Sequence, residues 1–329
     1  MADETLLLSH QDVVRCLDMR EVIEIVEQVL RAHGEDRVVM PMKITLDLRP
    51  VGREFWSNAM PAYVAPLDAV GIKWVGGFAN NPARHGLPYL MATILLQDPD
   101  TGRLRAVMDG LHITNLRTGA AAAVSARHTA RAGAGVVAIV GAGTQGRTSL
   151  WALGHLLQIR EARVVDILPG AAEAYAREMS ARLGLQVRPC DSVQEAVEGA
   201  DVVVAATTAD EAVVRNGWLG PGVTVVALGS FQEFDDDFVL GADRIVVDSW
   251  EQCRHRGELA RLVRAGKLSR EDVDAELGDV VVGRKPGRSG DAERVLVVPI
   301  GLGSLDIAVA SVVYRRAGEL GLGGRYSFI

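Results

Sequence analysis

The sequence predicts an α/β protein of two lobes. Three observations carry that expectation: a length of 329 residues, about twice that of a typical domain; a change of pattern near residue 135; and, beyond it, short apolar strands alternating with helical stretches. The strands are VVAIV at 136–140, ARVVDI at 162–167, ADVVVAAT at 200–207, VTVVALG at 223–229 and DRIVVD at 243–248. Runs this apolar are what strands buried on both faces require, and a parallel sheet with crossover helices buries them so.

The region ahead of this sheet reads differently. Residues 11–33 are expected to form one helix, because Val13, Val14, Leu17, Val22, Ile23, Ile25, Val26 and Leu30 fall largely on one face at helical spacing. Residues 43–48, 71–75 and 92–97 look extended and are separated by turns such as DPDTG at 98–102, which fits an antiparallel sheet. The alanine-rich, proline-free stretch 113–131 is a helix that carries the chain from the first lobe into the second. GRKPGRSGDAER at 283–294 reads as an exposed loop, and residues 305–320 return to helical spacing and are expected to pack back on the first lobe. No internal repeat is visible.

Composition removes several classes of function. The net charge of −7 lacks the basic surplus that a phosphate backbone demands, so nucleic acid is not the expected partner. No apolar run reaches the roughly 20 residues that span a bilayer, and the acidic N-terminus MADETLLLSHQDVV has no basic segment before its short apolar run, unlike a secretory signal. Cys16, Cys190 and Cys253 are odd in number and widely spaced, which argues against a disulfide framework and against a structural zinc. A cytoplasmic enzyme acting on a small molecule, with no metal, is the expectation.

The strongest motif is GAGTQG at 141–146, placed directly after the strand VVAIV and before the helical run RTSLWALGHLLQ. A glycine triplet alone is weak, but a strand before and a helix after are what a dinucleotide-binding, Rossmann-type turn needs. Gly141 makes the tight turn, Gly143 admits the pyrophosphate to the backbone, and Gly146 lets helix and strand pack closely, while the helix N-terminus offers amide donors to the anion. Asp166 ends the next strand, where a carboxylate accepts hydrogen bonds from both ribose hydroxyls and repels a 2′-phosphate, so NAD(H) is favoured over NADP(H). The competing reading is another nucleotide fold, flavodoxin-like for example, with a coincidental glycine loop.

At this point the chain resembles the family of ornithine cyclodeaminase, mu-crystallin and the archaeal-type alanine dehydrogenases and ketimine reductases. The resemblance covers nearly the whole chain. It rests on MPMK at 40–43, GIKWV at 71–75, NPARHGLP at 81–88, DPDTG at 98–102, ITNLRTGAAAAVSA at 113–126, GAGTQG at 141–146, ADRIVVD at 242–248 and GSLDIA at 303–308. It implies an α+β substrate and dimerisation domain made of residues 1–118 and 299–329, a Rossmann NAD-binding domain over 119–298 inserted between them, and a homodimer. It also implies that Lys43, Lys73 and Arg117 hold the substrate carboxylate in a cleft against the nicotinamide. Arg117, Thr118, Thr144, Gln145, Thr207, Gly229 and Gly301 then join Gly141, Gly143, Gly146 and Asp166 at the cofactor.

Chemistry agrees with part of this independently. Arg117 can clamp a carboxylate with two parallel hydrogen bonds, and Lys73, flanked by Ile72 and Trp74 on a strand, can have its ammonium desolvated and its pKa lowered toward an acid–base role. A lysine or arginine taken at random is more often a solvated surface charge. Lys43 stands where the family more often has arginine, whose fork a lysine cannot reproduce.

The chain departs from the cyclodeaminases after its fourth Rossmann strand. ALGSFQEFDDDF at 227–238 places Phe231 where those enzymes carry an aspartate for the substrate's amino group. Glu233 or Asp235 substitutes for it, or both are solvated acids at the start of a helix, which is the simpler reading. The leading expectation is therefore an NAD(H)-dependent dehydrogenase or imine reductase acting on the C–N bond of a small α-amino or imino acid, with Lys73 as proton donor and acceptor. Redox-neutral cyclodeamination and mu-crystallin-like binding without turnover remain as alternatives.

Overall fold

The structure is a computed structural model, and it describes residues 4–328. The first three residues of the acidic N-terminus lie outside that range. In chain order the strands are β1 Glu4–Leu8, β2 Val38–Val39, β3 Ile44–Asp47, β4 Phe55–Val64, β5 Ala69–Phe78, β6 Leu90–Gln97, β7 Leu104–Asp109, β8 Val136–Val140, β9 Glu161–Val165, β10 Val187–Pro189, β11 Val202–Ala205, β12 Thr224–Ala227, β13 Arg244–Val247, β14 Ala275–Glu276, β15 Val295–Val298 and β16 Gly324–Ser327. They form two sheets in two compact units, one made of the chain up to Arg117 together with the stretch from Leu302, the other of Thr118–Gly301. The boundary falls inside the Leu111–Thr129 helix.

The first unit holds a mixed sheet in the order β16-β1-β7-β6-β5-β4-β2, with β3 also paired to β4. Its centre is antiparallel, as the turn pattern predicts, but β1 runs parallel to β7. The Gly303–Leu320 helix packs on the face of β4, β5 and β6, burying Leu305, Ile307, Ala308, Val309 and Val312 among others. The expected single helix over 11–33 is two: His10–Arg15 and Met19–Gly34. Asp18 begins the second, its side chain accepting from Arg20 N at 2.9 Å, and an N-cap residue has non-helical backbone angles that interrupt a continuous helix. Arg316 grips Glu21 with two hydrogen bonds of 2.7 and 2.8 Å, tying the two long helices of this unit together.

The second unit is a parallel sheet in the order β10-β9-β8-β11-β12-β15-β13-β14. Val137–Val140, β11, β12 and β15 are wholly buried, in keeping with the apolar runs that predict them. The order reverses between β8 and β11, and the crevice at the carboxyl ends of those strands is where open α/β sheets bind ligands. The loop at 283–294 is exposed for most of its length, as expected, but Gly287 is buried and Arg288 is half-buried. The Arg288 guanidinium donates to the carbonyls of Thr129 (2.8 Å), Gly222 (3.1 Å) and Glu293 (2.6 Å), which pins the loop beneath the sheet ends.

Candidate active site

In the first unit the structure brings Lys73 and Arg117 together and adds a group the sequence reading did not single out. Lys73 lies on the face of β5 that the Gly303–Leu320 helix covers. Its Nζ is 2.7 Å from Asp306 Oδ2, and Arg117 Nε donates to Asp306 Oδ1 at 2.9 Å. The side chains of Lys73, Arg117 and Asp306 are only 1%, 8% and 0% exposed. A carboxylate buried so completely among apolar helix residues needs compensating charge, and two cations supply it. Thr114 is 3.5 Å from Lys73 Nζ and donates its own proton to the Gly110 carbonyl, 2.7 Å away, so its oxygen is left to accept from the lysine.

The electrostatic balance at Lys73 favours a neutral amine more than usual. Burial lowers its pKa first, the Arg117 guanidinium lowers it further and Lys43 adds to this, while Asp306 opposes them, leaving it at about 7. Burial acts in the opposite sense on the Asp306 carboxyl, but Arg117 and Lys73 outweigh it and hold that group below its ordinary value. Lys43 itself is half-buried, just ahead of β3. Asp306 lies in the GSLDIA segment at 303–308. Its available signal is an acid near the start of a helix whose next eight residues, Ile307–Tyr314, carry no charge.

In the second unit the glycine loop has the geometry its spacing predicts. Gly141 has φ 105°, and a Cβ at Gly146 would sit 2.2 Å from the Gly141 carbonyl oxygen, so neither position takes a side chain without strain. A Cβ at Gly143 would meet nothing within 4 Å, and Gly143 is the N-cap of the Thr144–Leu156 helix, whose first turn, with Thr144, Gln145 and Gly146, therefore has no capping side chain of its own. Asp166, at the end of β9, accepts from Ala142 N at 2.7 Å and Leu168 N at 2.8 Å. Beside it Ile167 and Leu168 are 96% and 66% exposed. An uncapped helix N-terminus over an open glycine and a carboxylate at the next strand end suit the pyrophosphate and ribose of a dinucleotide.

Sequence reasoning missed Arg147, which braces this loop. Its Nη1 donates to the carbonyls of Ala142 and Gly143, its Nε to Glu178 at 2.7 Å, and its guanidinium lies 5.0 Å from the Tyr175 ring centre. Tyr175 in turn donates to the Gly146 carbonyl at 2.8 Å. Nothing in the motif's spacing marks the residue that follows it.

Thr207, Gly229 and Gly301 follow β11, β12 and β15, Thr118 lies in the Leu111–Thr129 helix, and Phe231 is half-buried in the segment after β12. The reading of Glu233 as a solvated acid is corrected here. Glu233 is fully buried and accepts from Thr207 N (2.7 Å), Thr207 Oγ1 (2.8 Å) and Gly229 N (2.8 Å). Asp235 does begin a helix, accepting from Phe238 N at 3.1 Å as the N-cap of Asp236–Leu240.

A dinucleotide-type parallel sheet and a separate unit with a buried lysine–aspartate–arginine cluster define a two-lobed, nucleotide-dependent class of protein. The ornithine cyclodeaminase/mu-crystallin family model matches residues 3–320, and the chain belongs to that family. The chain is 34% identical to the alanine dehydrogenase of Archaeoglobus fulgidus over 330 aligned residues, 99% of each chain. Among solved structures it superposes with a TM-score of 0.93 on the Delta(1)-pyrroline-2-carboxylate reductase of Thermococcus litoralis in complex with NADH and L-proline, at 34% identity over 97% of this chain and 99% of that one. An archaeal alanine dehydrogenase dimer with bound NAD gives the same TM-score of 0.93 and the same 34% identity, over 99% and 100%. Among the described residues no helix is long and apolar enough to cross a membrane.

Proposed function

We propose that this chain is an NAD(H)-dependent oxidoreductase acting on the C–N bond of a small α-amino or imino acid. The buried Lys73–Asp306–Arg117 cluster carries the reading. An ammonium that titrates near pH 7 is a usable proton donor and acceptor at neutral pH. Asp306 occupies the Nε edge of Arg117, so the Nη side of the guanidinium is the part assigned to the substrate carboxylate, with Lys43 as a second cation. Lys73 gives a proton to the imine nitrogen on reduction and takes it back from the amine on oxidation. NAD(H), when bound, supplies the hydride chemistry. Gly141, Gly143, Thr144, Gln145 and Gly146 would hold its pyrophosphate and Asp166 its adenosine ribose, with Thr118, Thr207, Gly229 and Gly301 as further contacts.

We assign residues 1–118 and 299–329 to substrate binding and dimerisation and residues 119–298 to the dinucleotide. The dimer reading draws on the apolar face of the first sheet that the Gly303–Leu320 helix does not cover. Ile44 and Trp74 share that face with Leu46 and Met91, and they are 71%, 46%, 45% and 41% exposed. The archaeal alanine dehydrogenase that the chain resembles is a dimer. A cytoplasmic location suits three buried cysteines held as thiols, and cell fractionation checks it.

The deciding experiment offers a panel of α-keto acids with ammonium, and of cyclic imino acids without it, to the protein with NADH, following the absorbance of the reduced nicotinamide. Oxidation of NADH with at least one of them is the expected result. Ammonia release from a diamino acid with no net change in NADH would replace this reading by cyclodeamination, and binding without turnover would replace it by a carrier role.

A further inference from the structure

Two fully buried carboxylates at the carboxyl edge of the parallel sheet have no part in the chemistry above. Glu233 reaches back from the segment after β12 and accepts three hydrogen bonds, two from the amide and hydroxyl of Thr207 and one from the amide of Gly229. Thr207 follows β11 and Gly229 follows β12, so a single side chain ties together the exits of two neighbouring strands. The fit is close, since a Cβ at Gly229 would lie 2.5 Å from Glu233 Cδ. The segment bearing Glu233 is itself fixed by Glu258, 2% exposed, which accepts from the amides of Glu233 at 2.8 Å and Phe234 at 3.2 Å. Burial raises both carboxyl pKa values against these donors, and Glu258, with Glu233 beside it, reaches about 8.

Two acids with restricted ionisation are an expensive way to close a turn. An apolar contact would hold a loop as well; what a carboxylate adds is a fixed direction for each amide it receives. The same device recurs one strand further on. Asp248, 3% exposed, accepts from Gly301 N at 2.7 Å, just beyond β15.

The placement of these residues says which half of the cofactor is concerned. The glycine loop follows β8 and Asp166 follows β9, so the adenosine side lies toward β9, and the other half of a dinucleotide crosses the switch point toward β11 and β12. We propose that Glu233 is a positioning residue for the nicotinamide half of NAD(H), aiming the backbone at Thr207 and Gly229 toward that half. The inference rests on the cofactor reading given above.

The test uses the full-length protein and two probes, NADH and ADP. In Glu233→Gln one oxygen still serves Thr207, but the new amide group meets the Gly229 N–H donor against donor. NADH binding, followed by nicotinamide fluorescence, is expected to weaken about tenfold, an effect of the size that follows from one buried donor losing its acceptor. ADP, which occupies only the adenosine side, is expected to bind within about twofold of the unaltered protein, because its contacts at Asp166 and the glycine loop are untouched. Equal loss of both probes, or loss of neither, overturns the proposal, since a general structural role spares or damages both halves alike. If Glu233→Gln does not fold, Thr207→Val removes the hydroxyl's bond to Glu233 together with the weaker one it accepts from Ala209 N at 3.3 Å, leaves the Thr207 N–H bond to Glu233 in place, and is expected to give the same selective loss at about threefold; unchanged NADH affinity there overturns it. Failure of the unaltered protein to bind either probe would instead remove the cofactor reading on which the proposal stands.

Discussion

Lys73 and Asp306 form a buried ion pair, Nζ to Oδ2 2.7 Å, with almost no solvent on either side chain. Burial and Arg117 press the lysine toward its neutral form and Asp306 resists them, with a balance at about 7. The pH dependence follows by sign. Amine oxidation needs the neutral amine, so its kcat/KM is expected to rise through about pH 7 and then level; imine reduction needs the ammonium and is expected to fall across the same range. Asp306→Asn removes the one influence that raises the lysine's pKa, so the oxidation profile moves to lower pH. It also leaves the buried Arg117 guanidinium without its anion, a loss of roughly 3–5 kcal/mol in stability. An unmoved profile in Asp306→Asn would mean that another group titrates. Stability carries the same signature: between about 7 and the ordinary 10.5 the unfolded chain holds a proton on Lys73 that the native state lacks. This group's contribution therefore becomes more favourable as pH rises through that window.

Arg117 serves two partners in this reading, Asp306 through Nε and the substrate through its remaining edge. Arg117→Lys keeps the charge and loses the fork. Substrate affinity is expected to fall by roughly 2 kcal/mol, with a much smaller change for NADH. Titration of each ligand separately decides the matter, and a variant that loses NADH affinity alone would assign Arg117 to the cofactor instead.

Asp166 predicts cofactor choice. Its carboxylate at the ribose position should make NADH the preferred reductant. Asp166→Ser combined with Ile167→Arg, which puts a cation at a position already 96% exposed, should move the NADPH-to-NADH ratio of kcat/KM by on the order of tenfold or more toward NADPH. Tighter binding of NADPH by the unaltered protein would contradict the assignment.

Trp74 tests the dimer. It projects from β5 on the face opposite Lys73, 46% exposed beside other apolar side chains. If a second copy covers this face, Trp74→Glu buries an unpaired carboxylate in the interface and should convert a dimer to a monomer in light scattering, with the fold retained by circular dichroism. A protein that is monomeric without the substitution, or a variant that remains dimeric, sets this surface aside.

The sequence made some of this legible and not the rest, for local reasons. VVAIV at 136–140 coincides with β8, and the glycine turn behaves as its spacing predicts, because strand, turn and helix lie within a few residues of one another. Lys73 and Arg117 stand out in the sequence by residue type and by resemblance, whereas the partner they share does not. Asp306 reaches them only because the C-terminal helix crosses β5, a tertiary fact with no local trace beyond an acid in apolar company. Glu233 was misread because EFDDDF looks like a charge run, whereas its first acid turns inward and its second caps a helix. The break at Asp18 was readable after all: Asp18 followed by Glu21 is a helix-start pattern that the continuous apolar periodicity concealed.

Phe231 bears on which substrates fit. A diamino acid brings a second ammonium, and in a closed, dry site that charge needs a carboxylate partner. The sequence offered Glu233 and Asp235 as replacements for the missing aspartate. Glu233 is committed to Thr207 and Gly229, and Asp235 to Phe238 N and to Asn216 N at 2.9 Å. In the family reading, which puts Phe231 where cyclodeaminases carry that aspartate, an apolar ring takes its place, and this favours a substrate whose side chain is apolar. The expected outcome is a kcat/KM for a monoamino, monocarboxylate substrate or its cyclic imine that exceeds the value for ornithine by about a hundredfold, the scale of a buried charge left unpaired. Phe231→Asp should narrow that gap by improving ornithine while weakening the apolar substrate. Efficient conversion of ornithine to proline by the unaltered protein, with ammonia released and no net NADH change, would mean that a carboxylate other than these two meets the amine.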